Sequence, residues 1–78
     1  MSIHLQQAYR GGYNGRPGWW VAFAYSEAGV EAIKGIAAPE RAWDEEQKRW
    51  WVSLEAEDEL LRIAPGLEAY KQQQGALL

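Results

Sequence analysis

The sequence predicts a small single-domain α+β fold, an antiparallel sheet with helices packed on one face, in the element order β-β-α-β-β-α-α. Three observations carry this prediction. Large apolar residues alternate with smaller or polar ones in residues 19–25 and 48–54, which is the period of a strand. Apolar residues recur at helical spacing after Ser26 and again in residues 56–63. Segments rich in Gly, Asn, Pro or acidic residues separate these runs. At 78 residues the chain has room for one domain, spanning 1–78. A chain of this size buries only about 60% of the surface its unfolded form exposes.

Residues 3–9 are the first expected strand, with Ile3, Leu5, Gln7 and Tyr9 on one face and His4, Gln6 and Ala8 on the other. Residues 10–18 (Arg-Gly-Gly-Tyr-Asn-Gly-Arg-Pro-Gly) read as a long hairpin loop, since Gly and Asn accept positive φ and Pro removes a ladder donor. In residues 19–25, Trp19, Val21, Phe23 and Tyr25 share a face, with Trp20, Ala22 and Ala24 opposite. Ser26 suits a helix N-cap and Glu27 the positive end of the helix dipole, so a helix is expected over about 27–36, ended before Pro39. Gly29 and Gly35 weaken it by about 1 kcal/mol each relative to Ala, so packing must hold it. Residues 41–44 and 48–54 then form a second hairpin around an acidic turn. Glu57, Asp58 and Glu59 open a helix carrying Leu60, Leu61 and Ile63. Pro65 can start a last helix that Gly75 would stop, and the final residues are expected to fray.

Composition bounds the function. The chain has no cysteine, so disulfides and thiolate metal sites are excluded, which favours a reducing compartment. The N-terminus lacks the basic and apolar regions of a signal peptide, and no apolar stretch approaches the roughly 20 residues that span a bilayer. A cytoplasmic, non-membrane protein is therefore expected. The net charge of −3 argues against a protein that coats DNA by neutralising phosphates. The sign is uneven along the chain, however: Arg10 and Arg16 are the only charges before Glu27, and six acids oppose Lys34 and Arg41 between residues 27 and 46.

No catalytic constellation is legible. His4 is the only histidine, Ser2, Ser26 and Ser53 have no motif around them, and catalysis needs several convergent groups. The acids at 44–46 lack the spaced oxygen ligands and glycine of a Ca²⁺ loop. The glycines at 11, 12 and 15 are similar in composition to a phosphate loop, but they lead into a strand instead of a helix. No enzyme activity, cofactor or metal is expected.

The tryptophan pairs say more. By strand parity Trp19 and Trp50 face the core, whereas Trp20 and Trp51 fall on the opposite face and must find a cover, each other or a partner. Residues Leu67, Tyr70, Leu77 or Leu78 could supply the cover. Alternatively, Trp20 and Trp51 flanked by Arg10, Arg16, Lys48 and Arg49 would form an aromatic platform that stacks unpaired bases, at roughly 1–3 kcal/mol per base.

Residues 25–36 (Tyr-Ser-Glu-Ala-Gly-Val-Glu-Ala-Ile-Lys-Gly-Ile), then Arg41-Ala42-Trp43-Asp44, Lys48-Arg49-Trp50-Trp51-Val52-Ser53-Leu54 and Leu60-Leu61 together resemble the HARP domain of annealing helicases and its small stand-alone relatives. The resemblance spans about residues 25–63. It implies Trp50 as a packing residue, Trp43 and Asp44 at the opening of the hairpin, and Lys34 near the end of the helix. It also implies a repair or replication context with binding to single-stranded or branched DNA. The expected function is thus a non-catalytic nucleic-acid-binding module acting through Arg10, Arg16, Trp20, Lys48, Arg49 and Trp51. The alternative is a small protein-interaction module, of phage or accessory type, that docks through exposed Trp and Arg. Either a monomer or a homodimer that buries Trp20 and Trp51 against their symmetry mates fits these surfaces.

Overall fold

The computed structural model describes residues 3–76, with side chains described as far as residue 73. The expected fraying of the last residues, and any cover supplied by Leu77 or Leu78, lie outside the described residues. The chain forms β1 (Leu5–Tyr13), β2 (Arg16–Phe23), α1 (Glu27–Lys34), β3 (Arg41–Asp44), β4 (Arg49–Ser53), α2 (Glu57–Ile63) and α3 (Leu67–Ala76). Short 3₁₀ turns at Ala38–Glu40 and Leu54–Ala56 lead into β3 and α2. The expected α+β fold and its element order are observed.

The four strands make one antiparallel sheet in the order β1-β2-β4-β3. Two hairpins therefore meet along their second strands, β2 and β4. Because β2 and β3 both run antiparallel to β4, they are parallel to each other, and α1 is the crossover that such a connection requires. α1 starts where the sequence places it: Ser26 is extended, and its hydroxyl accepts the Gly29 N–H at 3.0 Å. Arg41 fastens the end of α1 to β3 by donating to the carbonyls of Ile36 (2.8 Å) and Lys34 (3.3 Å).

All three helices pack on one face. The core joins Leu5, Ala8, Trp19, Val21, Trp50 and Val52 of the sheet to Ile33, Ile36, Leu60, Ala64 and Leu67. Trp19 is fully buried, and its indole N–H finds the Glu57 carboxylate of α2 at 2.7 Å. Partial burial pushes the Glu57 carboxyl upward, but hydrogen bonds from Trp19 and from Lys71 of α3 (3.1 Å) outweigh it and hold the group below the usual carboxylate range.

Two expectations for the first hairpin need correction. β1 runs on to Tyr13, and the supposed loop over residues 10–18 shrinks to the two-residue turn Asn14-Gly15, with φ of 53° and 78° as a tight hairpin demands. Pro17 is tolerated because it lies outside the Gly18–Val21 stretch that pairs with β4. Secondly, Leu5 pairs with Phe23 but Gln7 with Ala22, so β1 carries one extra residue there. That bulge inverts the face alternation. Ala8 turns inward beside Val21, and Gln7 and Tyr9 turn out. At the other end of the chain, α3 continues through Gly75 instead of stopping there.

Candidate functional site

The sheet face away from the helices is covered by its own side chains. A row of directly opposed residues crosses all four strands: Tyr9, Trp20, Trp51 and Ala42. The next row toward the first turn holds Gly11, Gly18 and Ser53. Both indoles lean over these glycines. Trp51 lies against Gly18 and donates to the Gly11 carbonyl at 3.2 Å, while Trp20 lies against Gly11 and donates to the Gly12 carbonyl at 3.4 Å. Tyr13 closes the far end, its ring 5.9 Å from Trp20 in an edge arrangement and 5.3 Å from Trp51.

Two guanidinium groups complete the layer. Arg49 stacks 4.1 Å from the Trp20 ring and 5.4 Å from Tyr9, and is held by Asp44 at 3.3 Å. Arg16 sits 5.8 Å from Trp51 and donates to the Pro39 carbonyl (2.8 Å), Glu40 (2.6 Å) and Glu55 (2.9 Å). Glu40 also accepts the hydroxyl of the buried Ser53. The Ser53 hydrogen bond first, and then Arg16, hold the Glu40 carboxyl below the usual range, and the two carboxylates raise the Arg16 pKa.

This arrangement corrects the expected platform. Trp20 is only 8% exposed and Trp51 only 1%. Trp20 and Trp51 are direct cross-strand partners, as one of the alternatives open in the sequence has it, and the groups that cover their rings are Tyr13, Arg16 and Arg49. Leu67 is in the core on the opposite face. A homodimer is not needed to bury these tryptophans. Of the six residues expected to bind, Arg16, Trp20, Arg49 and Trp51 do converge, but on one another. Arg10 is on the helix-covered face, where it pairs across from Trp19 with its guanidinium 5.7 Å from that ring. Lys48 is in the second turn, engaged by Glu45, whose carboxyl is held below the usual range by Lys48 and by the Trp43 indole. Among the described residues every buried side-chain N or O has a partner, and no three potential metal ligands cluster.

Within that layer Tyr13 remains 44% exposed, and the other exposed large aromatic residues lie elsewhere. Tyr25 is 81% exposed and Trp43 44%. They flank two adjoining clefts between α1 and the second hairpin that share Val30 and Trp50, one of about 320 Å³ reaching Lys48 and one of about 440 Å³ reaching Lys34. Trp43 stands on the helix side of the sheet, its ring 5.1 Å from Trp50 and its N–H donating to Glu45 at 3.2 Å, but it lies on a terminal strand and stays 44% exposed. Tyr25 follows the end of β2 and escapes the alternation that the sequence assigned it. Another cleft, between Ile3-His4 and the start of α1, offers His4, Gln6 and Ser26 as polar groups, and the Ser26 hydroxyl is already the helix cap.

No helix among the described residues is long and apolar enough to cross a membrane. No protein-family model matches the chain, and neither a curated protein nor a solved structure does.

Proposed function

We propose that this chain is a non-catalytic interaction module whose partner is a protein, docked at the Tyr25–Trp43 cleft. One observation carries the proposal: the two most exposed aromatic residues that line a common concavity are these, while the tryptophans suited to a base-stacking platform are already packed. Tyr and Trp supply large contact area at small entropic cost, which is why they dominate binding hot spots. The cleft lining of Val30 and Trp50 is apolar, and the chain's net charge of −3 disfavours an extended phosphate backbone.

Nucleic-acid binding remains the second reading. Its support is the resemblance to the HARP domain together with the position of Lys34 and Lys48 beside two exposed aromatic rings. One experiment separates the two. Random heptapeptides are selected by display on the immobilised protein, and enriched sequences are titrated against wild type and a Tyr25→Ser/Trp43→Ser variant, beside a single-stranded oligothymidylate. Peptides that bind wild type and are lost on the variant, at unchanged melting temperature, support the protein partner. Absence of enrichment, or binding indifferent to the variant, sinks it. Salt-sensitive quenching of tryptophan fluorescence by the oligonucleotide alone would move the function to nucleic acid.

A further inference from the structure

Resting on that reading of the cleft, we infer the mode of binding and the chemistry of the partner: an extended peptide segment adds to β3 as a fifth strand, placing one apolar side chain in the cleft and a carboxylate against Lys34.

The topology supplies the first part. β3 ends the sheet, and among the described residues no other backbone pairs with the outer side of Ala42–Asp44; only the Arg41 N–H is used, on the Ala38 carbonyl. Unpaired main-chain donors and acceptors on a terminal strand are a template for another strand. Arg41 fastens the C-terminal end of α1 to this strand, and Val30 and Lys34 of the helix line one cleft together with Trp43 and Trp50 of the second hairpin. A strand laid along β3 directs alternate side chains to the helix side of the sheet. There they meet the Trp43–Trp50–Val30 cleft. The same pairing would bury the exposed half of Trp43, which the chain alone leaves open.

Charge supplies the second part. Two lysines border the clefts, but they differ. Lys48 is neutralised by Glu45, whereas Lys34 is exposed and makes no ion pair among the described residues. An acidic residue next to the apolar anchor answers that unmatched cation. A charged pair at the edge of a desolvated apolar contact sets orientation along the strand as well as affinity.

The test uses the peptides enriched on the whole protein. Each is resynthesised with single N-methyl groups along its backbone and titrated against wild type and Lys34→Glu. Strand addition predicts an alternating pattern, with methylation of every second amide weakening binding roughly tenfold and the intervening positions having little effect. Lys34→Glu is expected to lower affinity for acidic peptides by about tenfold or more and to favour their Asp/Glu→Lys counterparts. Peptides that depend on Tyr25 and Trp43 but show no alternation, or ignore Lys34→Glu, overturn this inference while leaving the interaction module standing. Loss of dependence on Tyr25 and Trp43 overturns both. A response to oligothymidylate, or self-association in light scattering that Trp43→Ser abolishes, assigns the cleft to a nucleic acid or to a second copy and also overturns it.

Discussion

Replacing Gly18 by alanine should strip the domain of a large part of its stability, although Gly18 makes no side-chain contact at all. A Cβ at this position would stand 2.5 Å from Nε1 and 2.6 Å from Cε2 of Trp51, and closer still to the Val52 carbonyl oxygen. The oxygen cannot retreat without opening the β2–β4 ladder where Gly18 faces Ser53. The indole can retreat only by giving up its bond to the Gly11 carbonyl and its contact with Tyr13. Overpacking costs about 1–3 kcal/mol, and an indole N–H left buried without an acceptor about 1–3 more, so a loss of roughly 3 kcal/mol is expected. For a domain of this size that lowers the melting temperature by roughly 12–24 °C. Urea melts followed by far-UV circular dichroism give the difference. Two glycines calibrate it. Gly66→Ala meets open space and should be neutral or slightly stabilising, while Gly15→Ala, at φ +78°, carries backbone strain of about 1–2 kcal/mol without a clash. Should Gly18→Ala lie within about 0.5 kcal/mol of wild type, an amount usual for harmless surface changes, the indole does not lie flat on this glycine and the packed outer layer is wrong.

Glu57→Ala leaves the buried Trp19 N–H without its acceptor and should destabilise by about 1–3 kcal/mol, whereas Glu57→Gln keeps an acceptor and should cost less; thermal melts compare them. Arg49→Ala removes the cation over Trp20 and should cost about 0.5–2 kcal/mol and increase quenching of tryptophan fluorescence by acrylamide. The Glu40 carboxyl titrates lower in the folded chain than in the unfolded one. Its contribution is therefore complete above the ordinary value of 4.5 and is lost as pH falls through the depressed folded value. Ser53→Ala should move the Glu40 titration, followed by carboxyl NMR, back toward 4.5 and weaken the acid dependence of the urea midpoint.

The elements were legible where a pattern is local. Ser26 with Glu27 marks the start of α1, and alternation in β2 and β4 assigns Trp19 and Val21, Trp50 and Val52 to the core. What escaped was decided between strands. A single extra residue in β1 sends Tyr9 outward to Arg49, and nothing in Leu-Gln-Gln announces it. Gly11 and Gly18 read as turn residues, yet both lie in strands, where the lack of a side chain makes room for indoles that the sequence places at distances of nine and 33 residues along the chain. The parity argument rightly put Trp20 and Trp51 on one face but could not see that Tyr13, Arg16 and Arg49 would cover them. Trp43 was legible as a residue near the turn. Its exposure follows from β3 being terminal, a property of the strand order and not of the residues around it.

The division of the aromatic residues into a packed layer and an open docking surface is tested most directly by the indole ¹H–¹⁵N signals of a ¹⁵N-tryptophan-labelled protein in the presence of a soluble paramagnetic gadolinium chelate. The Trp43 signal should broaden first and strongly, those of Trp19, Trp20 and Trp51 should stay sharp, and a selected peptide should restore Trp43. Broadening of Trp20 and Trp51 to the extent seen for Trp43 would contradict the account and reopen the outer face as a binding platform.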